Sequence, residues 1–234
     1  MEANEELRRV SRSARAELES LSIRRDLRQD EVFAVERGIY LLDSVAAAVW
    51  TVGPPRFEVG VSAAGEVLGA ERLFVPRYAP LRARALNTGS VRIVDFDRLR
   101  WAMERSRSLE SEIMRLALAS SARHFHRASE VMHIRSDRRL ARWIQEYADA
   151  LDVSELHATH AEIATIMGLR RSSVTDGMHL LEERKFVRSQ RRRISICDRS
   201  GLAAYAAGVE ASSEPASRRP TSDTLHCAMH IAGE

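Results

Sequence analysis

The chain has 234 residues, with 36 Lys+Arg against 33 Asp+Glu and a formal net charge of +3. That length allows two small domains with real cores, and no apolar run reaches the length of a membrane span, so no membrane partner is expected. Cys197 and Cys227 make no disulfide framework and suit a reduced cytoplasm, the expected location; Met1-Glu2-Ala3-Asn4-Glu5-Glu6 also lacks the basic-then-apolar pattern of a signal peptide.

Residues 1–22 are strongly charged, with Leu7, Val10, Leu18 and Leu21 as the sizeable apolar positions after Met1. They predict a mobile or weakly amphipathic helix. From 23 to 97 short apolar runs alternate with Gly and Pro. Val32-Phe33-Ala34-Val35 precedes Gly38, Ile39-Tyr40-Leu41-Leu42 follows it, and Val45 to Val52 ends at Gly53-Pro54-Pro55. A further run, Phe57 to Val61, alternates; Gly65-Glu66-Val67-Leu68-Gly69 turns, and Val91-Arg92-Ile93-Val94 closes the series. Closely spaced short strands with turn signals predict a small β-barrel or roll.

Beyond Asp97 the period becomes helical. Leu99 to Met103 predict a short helix and Ser108 the start of a long one, so that 98–134 is helical. Along it Met114, Leu118, Ser121, Phe125, Ala128 and Met132 are spaced 4, 3, 4, 3, 4, a heptad seam with Ser121 as its polar member. A core helix packed on its own roll would also carry an apolar stripe. A dimer is favoured, because a small roll could hardly cover the whole helix. Leu140, Trp143, Ile144 and Tyr147 then share one face of another helix, the first of a domain over 135–205.

Within that domain Thr159 and, three residues on, Glu162 make a capping box. Ile163, Ile166 and Met167 fall on one face, Gly168 stops the helix by supplying a left-handed residue, and a second helix follows with Val174, Met178 and Leu181 inward. This is the pattern of a helix-turn-helix, whose second helix can enter the DNA major groove. Arg170, Arg171, Ser172, Ser173, Thr175 and Asp176 cluster at its start, with Thr159 and His160 at the start of the first helix. Arginine can hold guanine with two hydrogen bonds, Ser and Thr can reach bases or phosphates, and a helix N-terminus favours a phosphate. Asp176 can accept from cytosine N4 or repel phosphate. Gly177, in mid-helix, costs about 1 kcal/mol relative to Ala and is read as close packing against the first helix. Phe186-Val187 and Ile194-Ser195-Ile196 flank a basic tip containing Arg191, Arg192 and Arg193. Placed directly after a helix-turn-helix, this hairpin reads as a wing whose arginines touch phosphate and fix register.

A roll, a long helix and a C-terminal winged helix, in that order, resemble the Crp/Fnr superfamily of bacterial transcription regulators. The resemblance runs from about residue 31 to 205 and is strongest in R-L-A-R-W-I (139–144), T-H-A-E-I-A-T-I-M-G-L-R-R-S-S-V-T (159–175) and I-S-I-C-D-R-S-G-L (194–202). Within it the chain looks most like the alphaproteobacterial branch with R-R-x-x-V-T in the recognition helix. The resemblance implies an α+β fold with a cyclic-nucleotide-binding-like roll, a homodimer on a palindromic operator, and RNA polymerase as a further partner. It also marks Arg170, Arg171, Ser172, Ser173 and Thr175 as the positions expected to meet DNA. The sensor half departs from the superfamily. Where nucleotide-binding members carry a Gly-Glu pair and an Arg-Ser pair, this chain has Gly69-Ala70 and Ala79-Pro80. Cyclic nucleotide binding in the usual mode is therefore not expected, and no cysteine before Cys197 can serve an iron–sulfur cluster. The series also looks short of the roll's first strands.

His124, His126 and His133 near the long helix are read as solvated or hydrogen-bonded. His226, Cys227 and His230 follow a Ser/Pro-rich stretch (211–224) in a tail (206–234) expected to be disordered, and no metal site is assigned to them. No catalytic arrangement stands out, since Ser172 and Ser173 lack a base partner, and an enzyme is not expected. The sequence thus predicts a DNA-binding regulator of unknown effector. The competing possibility is a ligand- or metal-sensing protein whose winged helix contacts protein.

Overall fold

A computed structural model describes residues 10–52, 58–75 and 80–209, apart from the side chains of Glu130, Val131 and Met132. The expectations on Gly53, Pro54, Pro55, Phe57, Ala79, Met132, His226, Cys227 and His230 concern residues or side chains outside that description. Helix α1 spans Arg12–Leu21, capped by Ser11, whose hydroxyl accepts from the Ala14 amide. Strands β1 (Ile23–Leu27), β2 (Val32–Val35), β3 (Gly38–Leu42), β4 (Ala47–Thr51), β5 (Glu58–Ser62) and β6 (Val67–Leu68) follow. Then come the short helix α2 (Glu71–Phe74), β7 (Leu81–Ala85), β8 (Gly89–Asp95) and α3 (Phe96–Met103). The roll consists of two antiparallel four-stranded sheets, ordered β1-β8-β3-β6 and β2-β7-β4-β5.

Strand β3 shows how the sheets are covered. All five of its residues are buried, because successive side chains point to opposite faces and both faces are packed. Tyr40 and Leu42 enter the roll interior with Phe33, Leu68 and Val91. Ile39 and Leu41 enter a second core, shared with helices, that contains Leu18, Val94, Leu99, Leu109 and Ile113.

That second core places the N-terminal segment. Val10, Ala14 and Leu18 are buried, so α1 is amphipathic as its pattern predicted. It is packed against α4 (Arg107–His133) and β8, with Glu112 accepting from the Ser11 amide at 3.3 Å. Strand β1 corrects the expectation that the first strands are missing. Four of its five residues are exposed, so it has no apolar run, yet it pairs along its length with β8, Ile23 opposite Ile93 and Leu27 opposite Gly89.

The long helix α4 has two unlike faces. Leu109, Ile113, Leu116, Ala117 and Ser120 are buried against the roll side, whereas Met114, Leu118 and Phe125 are 45%, 66% and 74% exposed. Ala128 is exposed and Ser121 half-buried. Where α2 meets α4, the buried Glu71 accepts from the Ser120 hydroxyl and lies 3.5 Å from His124 Nδ1. Burial first, then Arg123 and Arg127, lowers the His124 pKa to about 4. The imidazole is therefore uncharged at neutral pH, and this contact is not an ion pair.

After α4 the chain builds a third core from α5 (Ser136–Leu151), β9 (Glu155–Leu156), α6 (His160–Met167), α7 (Arg171–Glu183), β10 (Val187–Gln190), β11 (Arg193–Ile196) and α8 (Arg199–Ala206). Leu140, Ile144, Ile163, Val174, Met178, Leu181, Ile194 and Leu202 lie at its centre. The third sheet runs β10-β11-β9, where β9 adds a short strand that no apolar run announced.

Candidate DNA interface

The turn between α6 and α7 is fixed from both ends by local chemistry. Thr159 Oγ1 accepts from the Glu162 amide at 3.1 Å, and Glu162 accepts in return from the Thr159 amide at 2.7 Å. Two of the four orphan amides of a helix start are thus satisfied reciprocally. At the other end Gly168 takes φ 63°, ψ 33°, the left-handed conformation that costs glycine least. The Leu169 amide then donates back to the Ala164 carbonyl at 2.9 Å. Arg139 adds a clamp from α5, donating to the Met167 carbonyl at 3.0 Å.

Helix α7 begins without a side-chain cap at Arg170, which leaves its first amides and the positive end of its dipole open. Val174, Met178 and Leu181 turn inward, while Arg170, Arg171, Ser172 and Asp176 are exposed on the other side. Neither Arg170 nor Arg171 has a carboxylate partner among the described residues. Thr175 is placed differently from its neighbours. Its hydroxyl donates to the Arg171 carbonyl at 3.1 Å and meets His160 Nδ1 at 3.1 Å, so it ties α7 to α6 rather than standing free. Burial, with Arg171 and His179 nearby, lowers the His160 pKa, which leaves the imidazole neutral and able to serve that bond.

Gly177 is a packing glycine, but its neighbour is not the one the sequence suggested. An added Cβ would lie 3.1 Å from Leu140 Cδ2 and 3.5 Å from Asp137 Cα. The close approach is to α5, not to α6. Nearby, Asp137 is buried and accepts from the Tyr205 hydroxyl and, at 3.2 Å, from Arg135 Nε. Burial pushes its pKa up, but the Tyr205 bond and the Arg135 charge outweigh that and hold the carboxyl below its ordinary value.

The hairpin after α7 is held by its root. Glu182 accepts from the Ser189 amide at 2.6 Å, and the Phe186 carbonyl accepts from the Cys197 and Asp198 amides. Val187 pairs with Ile196 and Gln190 with Arg193, so Arg191 and Arg192 form the tip, with Arg192 at φ 60°. Both tip arginines and Arg193 at the start of β11 are exposed. Two of them touch acids: Arg193 Nε lies 2.7 Å from Glu155 and Arg192 3.5 Å from Glu162. Arg191, like Arg188 on β10, has no acidic partner among the described residues. The wing arginines therefore differ in availability, which composition alone did not reveal.

The remaining expectations fall elsewhere. Ser173 is half-buried at the start of α7. Among the described residues no cluster of three His, Cys, Asp or Glu could hold a metal, and no helix is long and apolar enough to cross a membrane.

Residues 138–205 match the family model described as a Crp-like helix-turn-helix domain. No curated protein matches the chain by sequence. Solved structures do. A crp/fnr-family transcriptional regulator of Eubacterium rectale is similar with a TM-score of 0.68 at 14% identity, over 84% of this chain and 95% of that one. The c-di-GMP-responsive global regulator CLP of Xanthomonas campestris gives 0.64 at 14% identity, over 80% and 99%. FixK2 of Bradyrhizobium japonicum gives 0.61 at 18% identity, over 82% and 99%. Identities this low carry the fold and not the particulars. Residues 138–205 are thus similar to a Crp-like helix-turn-helix domain, on a chain whose fold is similar to those of solved Crp/Fnr-family regulators.

Proposed function

We propose that this protein is a sequence-specific DNA-binding transcription regulator that works as a homodimer. The observation that carries the reading is the open start of α7, where Arg170, Arg171, Ser172 and Asp176 stand exposed without carboxylate partners. They sit on a helix held at a fixed angle by the capping box, Gly168 and the Thr175–His160 bond. Arg171 and Arg170 read guanine edges or grip phosphate, Ser172 and Asp176 adjust the choice of base, and Arg188 and Arg191 of the hairpin sit on the phosphate backbone. Thr159 and His160 lie at the start of α6, close to the same surface.

The exposed Met114, Leu118 and Phe125 of α4, on the face away from the roll core, support a helix-to-helix dimer. Such a dimer would present two recognition helices to a palindromic site. The roll is read as one that does not grip a cyclic nucleotide in the usual way. Ala70 is fully buried and Glu71 turns inward onto Ser120, so neither offers a carboxylate to a ribose. A cytoplasmic location and contact with RNA polymerase complete the reading.

The test is selection of bound fragments from a random duplex pool, followed by anisotropy across a salt series. A palindromic consensus with a steep salt dependence is expected, because neutralising phosphates releases counterions. No enrichment together with a flat salt response would overturn the reading and favour a winged helix that contacts protein. In parallel, Leu118→Glu with Phe125→Glu should convert the protein to a monomer in sedimentation and lower specific affinity by more than tenfold.

A further inference from the structure

The DNA domain does not hang free of the roll. Ala48 of β4 belongs to the same apolar core as Ile144, Ile163 and Val174, and Val61 and Leu86 pack against that core from the roll side. A narrow cleft at the junction is lined by Ala48, Trp50, Glu58 and Arg84 of the roll and by Tyr147 and Ile166 of the DNA domain. Two polar contacts cross the junction region. The Tyr147 hydroxyl donates to Glu58 Oε1 at 2.9 Å, over 89 residues of sequence, and Arg127 of α4 pairs with Glu146 of α5. Gly60 makes room for the second: its φ is 138°, and a Cβ there would lie 3.0 Å from the Arg127 guanidinium.

We propose that the Glu58–Tyr147 bond, flanked by Arg127–Glu146, is a proton-sensitive latch that docks the DNA domain on the roll. Resting on the reading of that domain as DNA-binding, we further assign the latch to the control of DNA affinity. The chemistry follows from what surrounds Glu58. Arg127 of α4 and Arg84 of β7 favour its charge, Glu146 of α5 opposes it, and Tyr147 donates to it. Trp50 of β4 and Ile166 of α6 complete the lining without charge. Arg84 is also within 3.6 Å of Asp30 and acts on Glu162 at the start of α6. It therefore cannot serve Glu58 alone. Burial is the largest effect and carries the Glu58 pKa from 4.5 up to about 7, while burial and Glu58 together raise that of Tyr147.

The sign follows from that shift. A carboxyl with a raised pKa in the docked state favours docking most fully below its ordinary value, and that advantage is lost as pH rises through about 7. Over that window the docking equilibrium falls by up to about 300-fold, the ratio set by a pKa carried from 4.5 to about 7. A small change around neutral pH is therefore enough to shift the fraction of docked domains.

The chain's three tryptophans allow a direct test on the intact protein. Trp50 lines the cleft, Trp143 stacks on Tyr147 with ring centroids 4.2 Å apart, and Trp101 on α3 is 56% exposed. With 5-fluorotryptophan incorporated, the fluorine resonances of Trp50 and Trp143 are expected to move with a midpoint near 7, while that of Trp101 stays still. In Glu58→Gln the two should remain at their low-pH positions throughout, and in Tyr147→Phe, which loses the donor that favours the charged carboxylate, the movement should shift to higher pH. An absent titration, or one that persists in Glu58→Gln, would overturn the latch. DNA anisotropy on the selected sequence is then compared at pH 6 and pH 8. At least a threefold change in wild type, lost in Glu58→Gln, is expected; an equal pH response in both proteins sinks the control of DNA binding. Failure of the pool to yield any sequence counts against the DNA reading alone, since the fluorine titration judges the latch without DNA.

Discussion

Among the described residues the roll and the DNA domain both pair some arginines and leave others without an acid, but they place the unpaired ones differently. On the roll, Arg24, Arg25, Arg84 and Arg92 lie 3.3, 2.7, 3.6 and 2.9 Å from Asp26, Glu31, Asp30 and Asp43. On the DNA domain, Arg170, Arg171, Arg188 and Arg191 stand exposed with no carboxylate nearby among the described residues. A surface ion pair of the first kind contributes roughly 0–1 kcal/mol and is screened by salt. An unpaired arginine contributes less to the fold and leaves its donors free for a phosphate or a base. Pairing alone does not separate the two regions; what sets the second apart is that Arg170 and Arg171 stand together at the uncapped start of one helix, the arrangement on which the proposed DNA contact rests.

The comparison can be broken most directly at Arg171. Its replacement by Ala should cost about 1–3 kcal/mol on the selected sequence and relax preference at one base position. Arg92→Ala, on the roll, should leave DNA affinity unchanged. Equal losses from the two variants, measured by anisotropy, would mean that pairing says nothing about function. Next comes the acid that the DNA domain buries instead of exposing. Tyr205→Phe removes the donor to Asp137 and should destabilise the domain by about 1–2 kcal/mol in denaturant melts near neutral pH. Because the Asp137 pKa is lowered, its contribution is present above the ordinary carboxylate range and is lost as pH falls through the folded value. The gap between wild type and Tyr205→Phe should therefore narrow in acid. The smallest effect separates the wing arginines. Arg191→Ala should weaken all sequences alike and lower the salt slope by about one. Arg192→Ala, whose guanidinium is shared with Glu162, should do less than half as much on the same scale.

The helix-turn-helix was legible because its signals are local. The capping box spans three residues, the stop is one glycine, and the inward residues repeat at helical spacing, so no distant contact is needed to place them. The apolar stripe of α4 was legible for the same reason: of its described members Met114, Leu118, Phe125 and Ala128 stand exposed and Ser121 is half-buried, and the dimer it suggests is a proposal. What escaped depends on partners far away in sequence. Strand β1 forms because Ile93 and Arg92 of β8 are there to receive it, and its own residues, mostly exposed, carry no apolar pattern. The occupied hydroxyl of Thr175 depends on His160, 15 residues earlier, and looked on paper like one more free contact. The partner of Gly177 was misjudged because the close approach comes from α5, whose crossing of α7 no spacing in the sequence records. The role of Glu58 is invisible without the fold, since nothing near it in the chain hints at Tyr147.

The Thr175–His160 bond has an evolutionary consequence. Since that hydroxyl helps fix the angle of α7, and Val174, Gly177, Met178 and Leu181 are committed to packing, drift in operator preference has few places to go. Arg170, Arg171, Ser172 and Asp176 are exposed at the start of α7 and can change without disturbing the domain's interior. If the proposed reading holds, a lineage descended from this protein can acquire new target sites at nearly constant stability, through a vocabulary of four letters, while the helix that presents them remains the same part.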